Sequence, residues 1–381
     1  MLRLVNMIVP SFNVYSATID SCPVDGPTDT TDYIHSVQSS ASSIFTTTSS
    51  NSINLFSLQA SLPLFRTYTN QFTSPITSLV PHSTDPSIFF ASEQCGNVKV
   101  FDSRAPQNSA QLIVSSSSED GEIHSMDVGY SGTLVATGGN YAVSFFDIRN
   151  GGGSGGSGGS GGNINKATRI GYYEESHTDI ITQTRFHPTK DNVVATGGED
   201  CLVCIFDVTR STEEEAVQSI LNVEHPVRRI YFFGPSYEGL FSLSGSETMS
   251  LWHPESAQRI ADHTSIRETF QVDYLIDAEW SDNQLSLLSG TFSGDVKVNT
   301  VSADSVTLAA TMANGHSAVC RDFVKRDGCY FTGGEDGKLC VWSTEEGGGK
   351  YSKADVGVGV SGKKKRDKKK GGKGAAGFSP Y

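Results

Sequence analysis

Apolar residues alternate with polar ones in short runs along this chain, and the runs recur at a near-constant spacing. Segments such as NVKVFD (97 to 102) and CLVCIF (201 to 206) are rich in β-branched and aromatic residues, and Gly or Asp-Gly pairs punctuate the sequence every 8 to 12 residues. That pattern predicts short strands and turns. No heptad-like spacing persists beyond one turn, so helix is nearly absent. The best helical stretch, Thr212 to Leu221, reads equally as a loop feeding a strand.

One unit is written seven times: an alternating run, a small-residue segment, a turn with Gly or Asp, then a strand that closes on an aromatic residue. The clearest copies are FHPTKDNVVATGGEDCLVCIFDV (186 to 208) and FVKRDGCYFTGGEDGKLCVWS (323 to 343). The closing position falls at Phe56, Phe101, Phe146, Phe206, Trp252, Asn299 and Trp342, at intervals of 45, 45, 60, 46, 47 and 43 residues. The long interval contains GGGSGGSGGSGG (151 to 162), and removing those 12 residues brings it to 48. A Gly/Ser chain of this kind is a flexible coil that adds little cost as a loop insertion, whether natural or introduced, and no function is assigned to it. Its place is the loop between the third and fourth strands of its unit.

About 45 residues with four short strands is the size of a propeller blade. A four-stranded sheet with two apolar faces cannot bury both alone, so copies stack around an axis until the ring closes. Seven copies predict seven blades, with six or eight as the alternatives. The last unit is one strand short, and the extended segment Asn13 to Ile19 can supply it, joining the two ends of the chain and removing an exposed edge.

Composition narrows the function classes. The chain of 381 residues carries a formal −13, while residues 351–381 hold nine basic and two acidic residues, net +7, which leaves −20 on the other 350. A body so acidic is no general nucleic-acid surface, because phosphate contact needs clustered Lys and Arg. Seven irregularly spaced cysteines argue against a disulfide framework. The apolar patch Leu4 to Val9 falls short of a secretory or membrane segment. An intracellular, soluble protein is expected.

The repeat resembles the WD40 repeat family. Its most specific piece is Gly315-His316 followed by Thr332, Asp336 and Trp342. The resemblance implies a hydrogen-bonded chain inside one blade: an indole N–H wants an acceptor, a hydroxyl can accept and donate onward, and imidazole links hydroxyl to carboxylate. The fourth unit carries His177, Thr196 and Asp200, but Phe206 replaces the Trp, so its chain is one donor short. The implied architecture is all-β: a seven-bladed WD40 β-propeller over residues 1–345, closed by an N-terminal strand, and a disordered basic tail over 346–381. The implied role is a non-enzymatic scaffold that binds other proteins through its loop faces.

Other motifs have plainer readings. Cys201 and Cys204 form a CxxC, but three residues apart on a strand point to opposite faces, and no second pair stands at ligand spacing. His187 reads as a strand-end turn residue. Outside the Gly/Ser insert, whose GGSGG runs fit the pattern by composition alone, no G-x-S-x-G appears, and no phosphate-cradling loop or H-E-x-x-H is present. No catalytic residue, metal, cofactor, small-molecule substrate or membrane partner is expected.

Two units end in FDSR (101 to 104) and FDIR (146 to 149), whereas the fourth places Arg210 one residue too far. In WD40 proteins that recruit the cullin-4 ubiquitin ligase through its DDB adaptor, a W-D-x-R box carries an adaptor-facing Arg. Arg104 and Arg149 are therefore candidate adaptor contacts, with simple ion pairing as the plain alternative. In the tail, Lys363, Lys364, Lys365, Arg366, Lys368, Lys369 and Lys370 form a basic block. Such a block can be read by a nuclear import receptor, contact RNA in ribosome assembly, or only solubilise. A nuclear or nucleolar location is expected.

Overall fold

Among the described residues, the β-branched runs and their turns give 28 strands, which pair into seven four-stranded antiparallel sheets. The computed structural model of the chain describes residues 12–18, 32–59, 62–106, 110–115, 121–149 and 167–344. The insert 151–162 and the basic block 363–370 lie outside the described residues.

Six blades are built from consecutive strands. Blade 4 is representative, with strands Ile181–Phe186, Val193–Gly198, Leu202–Asp207 and Val217–Asn222 in that order from the axis outward. The seventh is not consecutive. Its first three strands are Cys320–Arg326, Cys329–Gly334 and Lys338–Thr344, and its outer strand is Phe12–Thr18 from the other end of the chain. The pairing is antiparallel, with Val14 opposite Trp342 and Thr18 opposite Lys338. First strands pack neighbour to neighbour all the way round, with Ile34–Ser39 of blade 1 against Cys320–Arg326 of blade 7. The ring of seven is closed.

The closing residues Phe56, Phe101, Phe146, Phe206, Trp252, Asn299 and Trp342 all lie on third strands and all are buried. The apolar core lies between blades rather than within any one of them. Phe145 and Tyr173 of blade 3, for example, pack with Ile181, Phe186 and Phe206 of blade 4. Burying one such aromatic side chain contributes about 1.5–3 kcal/mol.

Close approach between blades explains the small-residue segment of the repeat. A Cβ on Gly333 would stand 2.4 Å from Ile34 Cγ2 and 2.8 Å from Val37 Cγ2, both on the first strand of blade 1. The stretch Thr212 to Leu221 divides into a single helical turn, Glu213–Ala216, and then the outer strand Val217–Asn222. Thr212 caps the turn by accepting from the Glu215 amide at 3.3 Å, and the β-branched Val217 and Ile220 favour a strand thereafter.

The blade 7–blade 1 contact tolerates no added methyl. Gly333→Ala should cost about 1–3 kcal/mol through overpacking, read as a lowered urea midpoint with the cooperativity of unfolding retained.

Candidate functional site

Two faces of the ring follow from the topology. The loops that enter each blade, and the turns between second and third strands, lie on one face, termed here the entry face. The turns between first and second strands, and the ends of the third strands, lie on the opposite face, termed here the channel face.

On the entry face of blade 7 the structure brings His316, Thr332, Asp336 and Trp342 into one chain. Trp342 Nε1 donates to Thr332 Oγ1 at 2.7 Å, Thr332 Oγ1 meets His316 Nε2 at 2.7 Å, and His316 Nδ1 meets Asp336 Oδ1 at 3.0 Å. With Nδ1–H facing the carboxylate, each donor has one acceptor. Burial pushes the Asp336 carboxyl up, but bonds from His316, the Ser317 amide and the Lys338 amide outweigh it and hold the group well below the ordinary aspartate range. Blade 4 repeats the arrangement without the indole: His177 Nε2 lies 2.7 Å from Thr196 Oγ1 and Nδ1 lies 2.9 Å from Asp200 Oδ2.

The other five blades make the same tie with different partners, none of which pairs a His with an Asp. In blade 1 the roles are reversed: Asp32 on the entering loop accepts from the Ser50 amide at 2.9 Å and its hydroxyl at 2.7 Å. In blade 2 the buried Glu93 accepts from the Thr73 amide at 2.6 Å and is paired with Lys99. Blade 3 uses His124 and Asn140 at 2.8 Å, blade 5 uses His225 and Ser246 at 3.2 Å, and blade 6 uses Asp273, which accepts from the Phe292 amide at 2.7 Å.

A different bond, inside the blade, is marked by register. Ten residues before each closing aromatic, a hydroxyl stands where the closing side chain carries an N–H: Trp252 donates to Ser242 at 3.2 Å, and Asn299, which replaces the aromatic, donates to Ser289 at 3.0 Å. Where Phe101 and Phe146 close the run, the equivalent residues are Ala91 and Ala136, whereas Phe56 and Phe206 keep a hydroxyl there, on Thr46 and Thr196.

The CxxC is not a strand pair. Cys201 sits in the left-handed turn before the strand Leu202–Asp207, with φ 67°, where blade 7 has Gly337 at 69°. This corrects the expectation that both thiols belong to one strand. Cys204 is buried on that strand, and burial pushes its thiol up to about 12. His187 does end a first strand, and it also crosses to the next blade, with Nε2 3.1 Å from Tyr237 O.

Arg104 and Arg149 adopt the same pose on the channel face. Arg104 Nε and Nη2 straddle Asp102 at 2.9 and 2.8 Å, and Arg149 Nε and Nη2 straddle Asp147 at 3.1 and 2.9 Å. Both side chains remain over half exposed, at 60% and 63%. The extra residue in blade 4 does not break the pairing, since Arg210 Nε still lies 3.3 Å from Asp207 Oδ2.

Carboxylates on the first strands staple neighbouring blades around the channel. Asp127 accepts from the Phe186 amide at 2.7 Å, Glu279 from the Lys325 amide at 2.8 Å, and Asp322 from the Val37 amide at 2.8 Å across the closing contact. Toward the channel face the passage widens into a cavity of about 680 Å³ that Asp127, Arg185, Asp277 and Glu279 help to line. Burial pushes the Glu279 carboxyl up to about 7, against the bond from the Lys325 amide.

A family model described as WD domain, G-beta repeat matches residues 170–207 and 306–343, the stretches that end in blades 4 and 7. These two stretches match the WD40 repeat. Each matched stretch begins in the outer strand of one blade and ends in the third strand of the next, so the WD40 sequence unit spans a blade boundary. The chain is similar to the WD repeat-containing protein 89 homolog of Dictyostelium discoideum, 27% identical over 257 residues that span 65% of each chain. It is also similar to the WD repeat-containing protein GTS1 of Arabidopsis thaliana, 27% identical over 286 residues, 69% of this chain and 68% of the relative. The match thus covers just under two thirds of the first relative's own length.

Two WD40 blades that differ by one indole allow a direct comparison. Thr332→Val strands both the Trp342 N–H and His316 Nε2, whereas Thr196→Val strands only His177 Nε2. Thr332→Val should therefore be the more destabilising by about 1–3 kcal/mol, measured as the difference in unfolding free energy by urea titration.

Glu279 generates a pH dependence of known sign. Its folded pKa lies above the ordinary value of 4.5, so its contribution to stability is fully present below 4.5 and is lost as pH rises through about 7. Glu279→Gln should leave the melting temperature at pH 4 unchanged and raise it at pH 8. Parallel curves for the two proteins from pH 4 to 8 would contradict this.

Proposed function

We propose that this WD40 propeller is a non-enzymatic scaffold that binds other proteins through its loop faces and reaches the nucleus or nucleolus through the basic block Lys363 to Lys370. The observation that carries the scaffold reading is the closed ring of seven blades, each with its entering loop pinned to a turn. A frame so fixed holds its exposed loops in constant relative positions, which makes a specific surface without chemistry. The relatives' names carry no enzymatic activity. The tail's composition supports the location, since a dense basic block is what import receptors read.

A second reading is favoured by the shared pose of Arg104 and Arg149, exposed on adjacent blades of the same face. In this reading they dock the propeller on the DDB adaptor of the cullin-4 ligase. Their Asp partners then serve to aim the guanidinium groups outward as a pair.

Two measurements separate the parts. Removing residues 351–381 should shift a fluorescent fusion from nucleus to cytosol, and an unchanged nuclear signal would refute the targeting role. Arg104→Ala with Arg149→Ala should abolish co-purification of the adaptor with the melting temperature shifted by less than about 2 °C, as for surface substitutions. An adaptor never recovered with the unaltered chain would end the second reading.

A further inference from the structure

The channel mouth is an acidic and aromatic cavity on the face where the last described strand ends. Asp127, Asp191, Asp277 and Glu279 line it, and Arg185 is the one Arg or Lys among its described lining residues. Asp191 is exposed and makes no ion pair among the described residues. Tyr130, Tyr231, Tyr237 and Trp280 add half-buried aromatic surface to the walls. Carboxylates beside aromatic faces form a site for an alkylammonium or guanidinium group, attracted by both charge and ring quadrupole.

The chain itself carries a matching ligand close by. In blade 7, Val324 lines the mouth, Val324 pairs with Phe331, and Phe331 pairs with Val341 on the last strand. Two strand spacings, about 10 Å, therefore separate that strand from the cavity wall. The strand ends at Thr344 on the mouth face, and 18 residues lie between it and Lys363. Fully extended, 18 residues reach about 60 Å. Seven of the eight residues from Lys363 to Lys370 are basic, and the charge of −20 outside residues 351–381 faces +7 within them.

We propose that the basic block Lys363 to Lys370 docks in cis into the channel mouth, seating Lys or Arg head groups against Asp127, Asp191 and Glu279 and the aromatic walls. The docked block is hidden from an import receptor or a nucleic acid, and a partner whose own basic side chain enters the mouth releases it. Occupancy of the mouth and exposure of the tail are thereby coupled. The inference goes beyond the scaffold reading and does not depend on it, because it is measured on the purified chain without any partner or cell.

The test uses a fluorescein-labelled peptide with the sequence of Lys363 to Lys370 and full-length protein, read by fluorescence anisotropy at low and high salt. A short tether gives an effective concentration on the order of 1 mM, so a peptide with an intrinsic Kd of about 100 µM should bind the unaltered chain roughly tenfold more weakly than a chain whose seven basic residues are Gln. Adding Asp191→Asn and Glu279→Gln to the Gln-substituted chain should remove the binding, and Asp191→Asn alone, at an exposed position, should weaken it if the double change impairs folding. Equal affinity for the unaltered and Gln-substituted chains overturns docking in cis. Absence of binding to both overturns the site, as does binding that survives the mouth substitutions.

Discussion

A four-stranded sheet with apolar residues on both faces has no stable existence in water by itself, and this constraint governs the rest of the molecule. Each blade must find a neighbour on both sides, so the series can end only by returning to its beginning. Closure is achieved twice over. Side chains close the ring where Ile34 and Val37 of blade 1 meet Gly333 of blade 7 and Asp322 takes the Val37 amide. Backbone closes it where Phe12–Thr18 completes the sheet begun by Cys320–Arg326. Glycine at 333 and the missing outer strand of the last unit are two consequences of one requirement.

Within the ring, the entering loop of every blade is tied to the end of its own second strand or to the turn that follows it. The tie is fixed in position and free in chemistry: imidazole to carboxylate in blades 4 and 7, carboxylate to serine in blade 1, and a buried Glu to a loop amide in blade 2. That freedom explains what could be read from the sequence. The fold was legible because alternation and turn spacing are local and repeat seven times. The ties in blades 4 and 7 were legible because His, Thr and Asp recur there in the same order, with Asp four residues after Thr in both. Asp32, Glu93 and the His225–Ser246 pair were not, because each solves the same geometric problem with residues that look ordinary in isolation. The channel carboxylates were hidden for another reason: Asp127, Glu279 and Asp322 come from three different blades and meet the axis only when the ring is complete. Cys201 was misplaced by one element because a left-handed turn residue other than glycine carries no mark in the alternation.

The two faces of the disk divide the work. The entry face spends its polar side chains inward, on the ties. The opposite face presents Arg104, Arg149 and the mouth of the channel to solvent, so it holds most of the chemistry left for a partner. Local pairing does not remove Arg104 or Arg149 from use. It fixes the direction of each guanidinium before any partner arrives, which lowers the entropy cost of engaging it.

Blade 7 also has a temporal side. Val14 and Trp342 are partners in one register yet lie at opposite ends of the described chain. At 5–20 residues per second, roughly 15 to 65 seconds separate their emergence from a ribosome. Throughout that interval the early segment has no sheet to join, and blades 1 to 6 stand as an open arc with unfinished edges at both ends. A nascent chain of this design stays vulnerable to association with its neighbours until the final strand appears, and its need for protection during synthesis is set by the order in which its strands are translated.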